Sequence, residues 1–337
     1  MPVTARAYVL EHFGHDGLVE RLRTVADPGP GEVLVRMTAA SLNFRDLKIL
    51  KGVYGNSVTL PVVPLSDGAG VVAAAGPDRG RFRPGDRVMP IYWEGWHTGP
   101  LSTRNDSWKS KSAEVDGVAV EYAVYREADL VAIPEALSDE EAACLPCAGV
   151  TAWHALVAVG HVKPGDTVLV MGSGGVSVFG LQIARMSGAR VIALSSNDAK
   201  LERLRDLGAA DGVNYRKVQD WQEAVRVATM GRGVDLVLEV GGAGTVQRSI
   251  RATKDGGHVT SVGNLTGSFA ASAAVERAVR VTKVSVGSRE MAEDLTRAIA
   301  LNRQMPVIDR SFAFSRLRDA LAYLDSGRHF GKVVITF

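Results

Sequence analysis

One run of residues constrains this chain more than any other. Val168-Leu169-Val170-Met171 is an apolar stretch that stops on Gly172 and leads through Ser173, Gly174 and Gly175 into the helical pattern that begins at Val176. Thr167 to Met171 reads as a buried strand and Val176 to Met186 as a helix. Glycines at 172 and 174 leave room for a ligand against the backbone of the turn. The amides and dipole at the start of such a helix suit an anion, here a pyrophosphate. The glycine pattern is imperfect, because Ser177 stands where a third glycine would fall. The same residues could also form a tight strand-to-helix turn that binds nothing.

The rhythm around this run sets the fold class. Between about 136 and 280, strands alternate with helices: Arg190 to Leu194, Ala199 to Leu207 ending at Gly208, Val234 to Val240, and His258 to Val262. Such alternation predicts an α/β, doubly wound parallel sheet of the Rossmann kind with crossover helices. Before residue 135 the pattern is different. Short β-rich runs such as Val33 to Met37, Gly70 to Ala74 and Arg87 to Ile91 are separated by turn signals such as Pro84-Gly85-Asp86. This predicts a mainly antiparallel β domain. The tail ends in the strand Lys332 to Thr336, which can rejoin that first domain. The expected division is therefore 1–135 with 281–337 as one domain and 136–280 as the other, and a length of 337 residues suits two cores.

Composition narrows the function classes. The 39 basic and 37 acidic residues leave +2 with no long run of one sign, so nucleic acid and membrane surfaces have no electrostatic hold on the chain. No stretch of eighteen apolar residues exists, and the start, MPVTARAYVL, lacks a secretory apolar core, so the expected compartment is the cytoplasm. The two cysteines, Cys144 and Cys147, offer no disulfide framework.

The second strand of the parallel sheet ends near Leu194, about 20 residues past the glycine run, where an NAD-binding domain places a carboxylate on the ribose. This chain has Ser195-Ser196-Asn197 there and Lys200 one turn later. Hydroxyls and a cation suit the extra 2′-phosphate of NADP, so NADPH is favoured over NADH. Asp198 competes as a ribose ligand, or serves as a first-turn acid on the helix dipole.

Five motifs in order resemble the medium-chain dehydrogenase/reductase superfamily: Ala40 to Asp46, Pro64 to Gly70, Phe82 to Val88, Cys147 to Ala152, and Gly172 to Gln182. Within it the chain looks like the zinc-free branch of quinone oxidoreductases and alcohol-dehydrogenase-like proteins. The resemblance implies a Rossmann domain inserted in a GroES-like catalytic domain, an active cleft between the two, and a homo-oligomer, usually a dimer. It also implies cofactor contacts at Asn43, Thr151, Val240, Gly241, Gly263, Asn264 and Leu265, with Tyr215 near the adenosine phosphate and Lys332 near a ribose. These join Gly172, Ser173, Gly174, Gly175, Val176, Ser177, Ser195, Ser196, Asn197 and Lys200.

Zinc-dependent members hold their metal where this chain carries Asn43, Ser66 with Asp67, and Cys147, leaving one soft ligand. No metal is expected. Cys147 reads as a small buried residue, and His12 and His15 as solvated loop residues.

Without a metal, hydrogen-bond donors or water must stabilise the charge that hydride transfer develops on oxygen. Asn43 is expected to hold a ribose hydroxyl or the substrate oxygen, Asp46 to orient its loop, and Tyr54 to donate a proton, or simply to pack as a half-buried aromatic. Trp93, Trp96 and His97 could line the substrate mouth or pack the loop on itself.

The resulting expectation is an NADPH-dependent, zinc-independent oxidoreductase that passes hydride to a conjugated carbonyl, quinone or ketone. The alternatives are a zinc-independent alcohol dehydrogenase or ketoreductase, and a non-catalytic nucleotide-binding protein.

Overall fold

The computed structural model describes residues 2–54, 58–78, 80–101, 107–263 and 278–337. The chain divides into two compact units, Met1–Val150 with Val286–Phe337, and Thr151–Ser285. The 136–150 segment thus packs with the first unit, although strand and helix rhythm had assigned it to the second.

In the first unit the central strand Glu32–Ser41 lies between Asp67–Ala75 and Lys332–Thr336, antiparallel to both. Val33, Val35 and Met37 are buried while Arg36 is exposed, so the strand puts its apolar residues into the core. Arg87–Pro90 and Leu130–Ala132 extend the sheet on one side and Ile308–Ala313 on the other. Only the Ile308–Ala313 pairing is parallel, which agrees with the expected antiparallel character. Helix Phe44–Leu50 leaves the end of the central strand after Leu42 and Asn43. Because Lys332 starts the neighbouring antiparallel strand, it arrives beside that same exit.

The second unit is a six-stranded parallel sheet. Its order is Asp211–Asn214, Arg190–Ser195, Thr167–Met171, Val234–Glu239, Thr253–Ser261, Arg280–Lys283. Counted along the chain this is 3-2-1-4-5-6, the doubly wound order, with its reversal beside Thr167–Met171. Every residue of Thr167–Met171 and Val234–Glu239 is buried, as parallel strands covered on both faces require. Helix Gly175–Met186 sits very close to this sheet. A Cβ at Gly180 would stand 2.3 Å from Leu238 Cδ2, so glycine sets the separation of helix and strand.

Candidate active site

The turn after Thr167–Met171 lies at the carboxyl end of the strand where the sheet order reverses, which is where open α/β sheets hold ligands. Gly172 has φ of +85°, which a side chain would strain. Gly174 is the extended N-cap of helix Gly175–Met186, whose first amides lack partners within the helix. Gly172, Gly174, Gly175 and Val176 are partly exposed, so the backbone here can cradle a phosphate. Ser173 and Ser177 are buried. The Ser177 hydroxyl donates to the Met171 carbonyl at 2.5 Å, tying the helix start to the strand end. Its hydroxyl proton, expected to be available to a cofactor, is spent within the turn. Close packing of helix on strand, the task of a third fingerprint glycine, falls to Gly180.

The next strand, Arg190–Ser195, delivers the other expected residues together. Asn197 caps helix Asp198–Asp206 by accepting from the Lys200 amide at 3.2 Å, and the Ser195 hydroxyl accepts from the Asn197 amide at 3.3 Å. Two of the expected polar side chains thus hold the turn itself. Ser196 is partly exposed. Tyr215 is 41% exposed and its amide donates to the Ser195 carbonyl, which places the phenol beside the same strand end. Asp198 is engaged elsewhere: it accepts from Asn214 at 2.7 Å and pairs with Lys217 at 2.6 Å, and these bonds hold its carboxyl below the ordinary range. Arg216, which sequence reasoning missed, is exposed, and its guanidinium has no partner among the described residues.

Val240, Gly241 and Gly263 converge at two neighbouring strand ends. A Cβ at Gly263 would stand 1.8 Å from the Val240 carbonyl, so only glycine fits. Glu239, fully buried, organises this turn by accepting from the amides of Gly241 (2.6 Å) and Gly242 (3.1 Å) and from the Thr245 hydroxyl (2.6 Å). Thr151 is buried at the start of this unit, and Asn264 and Leu265 lie outside the described residues.

The first unit gathers a second constellation around the entry to helix Phe44–Leu50. Asp46 accepts from the Asn43 amide at 2.7 Å, capping the helix from its own first turn. Burial raises the Asp46 carboxyl to about 6 against the opposing pull of Arg45. The Asn43 side chain turns away from this cap: its Oδ1 accepts from Lys332 Nζ at 2.7 Å, and its Nδ2 lies 3.5 Å from the Ser66 hydroxyl. Ser66 donates to Asp67 Oδ1 at 2.8 Å, and Asp67 Oδ2 accepts the Cys147 amide at 3.0 Å. Lys332, 2% exposed, also donates to the Leu42 carbonyl at 2.8 Å and stands 3.7 Å from Asp67. On the other side, the Arg45 guanidinium lies 4.8 Å from the centres of both the Tyr54 and Tyr92 rings. Its Nε donates to the Tyr54 hydroxyl at 3.4 Å, and that hydroxyl is 3.1 Å from that of Tyr92. Burial pushes the Tyr92 phenol well above its ordinary range.

Residues 29–135 match the alcohol dehydrogenase GroES-like domain, and residues 175–301 match a family described as zinc-binding dehydrogenase. The zinc-type alcohol dehydrogenase-like protein of Schizosaccharomyces pombe is 42% identical over 317 residues, covering 91% of each chain. The chain belongs to the medium-chain dehydrogenase/reductase superfamily. A Sinorhizobium meliloti 1021 protein provisionally named an alcohol dehydrogenase superposes with a TM-score of 0.93 at 40% identity, covering 100% of both chains. A solved NAD-dependent alcohol dehydrogenase follows at 0.89 and 33% identity, covering 98% of this chain and 99% of its own. This member of the superfamily is accordingly an NAD(P)-dependent oxidoreductase with a nicotinamide cofactor. No helix among its described residues is long and apolar enough to cross a membrane.

Of the two arrangements expected for Trp93, Trp96 and His97, lining a substrate mouth or packing the loop on itself, the indoles take the second. Trp96 is fully buried, stacks on Trp108 at 4.6 Å, and donates from its indole to the Gly99 carbonyl at 3.0 Å. Trp93 is 6% exposed and meets Tyr92 edge to face at 5.2 Å. His97 pairs with the buried Asp129 at 2.9 Å. The two indoles pack the loop on itself, because so much apolar surface is worth more buried than lining a mouth. Arg45 and Tyr92 were missed since their contact joins positions 45, 54 and 92, and nothing in the local pattern announces it.

Proposed function

We propose that the protein is an NADPH-dependent, zinc-independent reductase that transfers a hydride to a conjugated carbonyl, quinone or ketone. The observation that carries this reading is the bonding at the Tyr54 hydroxyl. Arg45 can only donate, so the Tyr54 oxygen accepts from it. The buried Tyr92 hydroxyl has that same oxygen as its one hydrogen-bond partner among the described residues, and a buried O–H left without an acceptor is costly. Tyr92 therefore donates to Tyr54 as well. Two donors on one phenol oxygen leave the Tyr54 proton for a further acceptor and stabilise the negative charge that remains once it has gone. That is what a proton donor to an enolate or alkoxide needs. Asn43 keeps one amide hydrogen beyond the one it gives Ser66, available to a ligand oxygen.

The second unit supports NADPH. The glycine turn and the start of helix Gly175–Met186 suit the pyrophosphate, and Val240, Gly241 and Gly263 suit the nicotinamide half. With Asp198 occupied by Asn214 and Lys217, the strand end offers Ser196, Tyr215 and the unpaired Arg216. This set accepts a 2′-phosphate and lacks the free carboxylate that would repel one. When bound, the cofactor supplies the hydride; the protein's own residues orient the carbonyl and provide the proton.

The donors at the positions that hold zinc in other members do not suit that metal. Both Asp67 oxygens already accept hydrogen bonds, and an amide at Asn43 and a hydroxyl at Ser66 stand where softer ligands would be needed.

The names of the relatives favour a second reading, an alcohol dehydrogenase or ketoreductase using the same residues. Steady-state assays with NADPH and NADH against a quinone, an enone and a simple ketone separate the two. Turnover of the enone or quinone with NADPH is expected. Turnover confined to the alcohol and ketone couple selects the second reading, and failure to bind either nucleotide sinks both.

A further inference from the structure

Two of the three positions that hold a metal in zinc-dependent members meet an ammonium group here, and the third is tied to them through its backbone amide. Lys332 Nζ is 2.7 Å from Asn43 Oδ1 and 3.7 Å from Asp67 Oδ2, and Asp67 in turn accepts the Cys147 amide. A second hydrogen bond, to the Leu42 carbonyl at 2.8 Å, joins the Asn43 bond and the Asp67 ion pair around a group that is 2% exposed. The backbone delivers it there: the Lys332 amide donates to the Val307 carbonyl and the Leu42 amide to the Val333 carbonyl, locking strand 332–336 to the exit of the central strand.

We propose that Lys332 is the resident cation of this centre, filling the place of a divalent metal and positioning Asn43. The proposal rests on reading the cluster as the reaction centre of a reductase. A lysine ammonium has three donors and no acceptor, so the amide atom that meets it must be the oxygen. Nδ2 then faces the other way. One of its hydrogens goes to Ser66, whose own proton goes to Asp67, and the second has no acceptor among the described residues. Lys332 thereby dictates that Asn43 presents a hydrogen-bond donor to a ligand oxygen, the polarity that stabilises a developing oxyanion. Lys332 itself, buried behind Asn43, is a positioning residue.

Metal analysis of the full-length protein, before and after incubation with zinc chloride and gel filtration, tests the first half. Retained zinc is expected to stay below roughly 0.1 per chain, and one tightly held zinc per chain overturns the proposal whatever the activity. K332M tests the second half. Its kcat is expected to fall about 100-fold with KM and NADPH affinity nearly unchanged, and added zinc should restore nothing. A kcat close to that of the unmodified protein, or rescue by zinc, overturns the positioning role. If K332M does not fold, K332M/D67N removes both charges of the buried pair and is read by the same criteria. Absence of turnover in the unmodified protein with every carbonyl tested would defeat the reductase reading alone, since the zinc content is measured separately.

Discussion

The hydroxyl of Tyr54 lies 3.1 Å from that of Tyr92, and the buried guanidinium of Arg45 covers both rings. A charge that a buried cation and a second phenol can stabilise therefore has a place to form at the Tyr54 oxygen.

Tyr54→Phe should accordingly lower kcat by about 10²- to 10⁴-fold while leaving NADPH affinity intact, as loss of a proton donor does. Tyr92→Phe removes one of two donors to the phenol oxygen and should cost less, about tenfold. Stopped-flow and steady-state measurements on the two variants check this order. Equal activity of Tyr54→Phe and the unmodified protein would remove the proton-donor role.

Arg216→Ala should weaken NADPH binding by about 10- to 100-fold, the worth of a charge-assisted bond to phosphate. NADH binding should change little, because that cofactor has no 2′-phosphate. Fluorescence titration with each nucleotide reads the difference, and a uniform loss for both would place Arg216 elsewhere.

Gly180→Ala tests the helix-to-strand packing. The new methyl would stand 2.3 Å from Leu238 Cδ2 in a fully buried layer. Overpacking of this kind costs about 1–3 kcal/mol, more than the gain of about 1 kcal/mol from replacing a helical glycine. Net destabilisation by about 1 kcal/mol is expected in urea. In a Leu238→Ala background the clash is gone and the same change should stabilise. An effect of the same sign in both backgrounds would show that Leu238 is not what the methyl meets.

His258 gives the second unit an acid sensitivity. Burial lowers its imidazole to about 4, with Arg280 adding to the effect, while its ring nitrogen sits 2.9 Å from the Thr282 hydroxyl. The unfolded chain takes up this proton near pH 6.5 and the folded chain only near 4, so folding is opposed as pH falls through that window. The loss should grow as pH falls from about 6.5 towards 4 and be absent above pH 7. Denaturation midpoints of the unmodified protein and His258→Gln should diverge in their pH dependence below 6.5; parallel curves would contradict the assignment.

The parallel sheet, the antiparallel first unit and the glycine turn were all legible in the sequence, because each is written in local periodicity: apolar runs, alternation, and glycine where the backbone must turn. The structure brings Ser195, Asn197 and Tyr215 to one strand end, Ser195 and Asn197 expected there from residue type and Tyr215 from the family resemblance. What those side chains do was not legible. Ser177 and Asn197 have the composition of ligand contacts, yet their hydrogen bonds are spent on the turn and the helix start. Trp93 and Trp96 look like a binding surface and are core. Lys332 is separated by almost 300 residues from Asn43, and Arg45 by 47 from Tyr92. Strand pairing and burial bring these groups together, and such distant contacts leave no trace in local pattern. The sequence by itself determined that a nucleotide-binding sheet would form, and it put Asn43, Ser66 with Asp67, and Cys147 at the positions compared with zinc ligands. Only tertiary structure decided that a buried ammonium stands among those positions, because desolvation makes every hydrogen bond there count and so sets which atom of Asn43 faces outward.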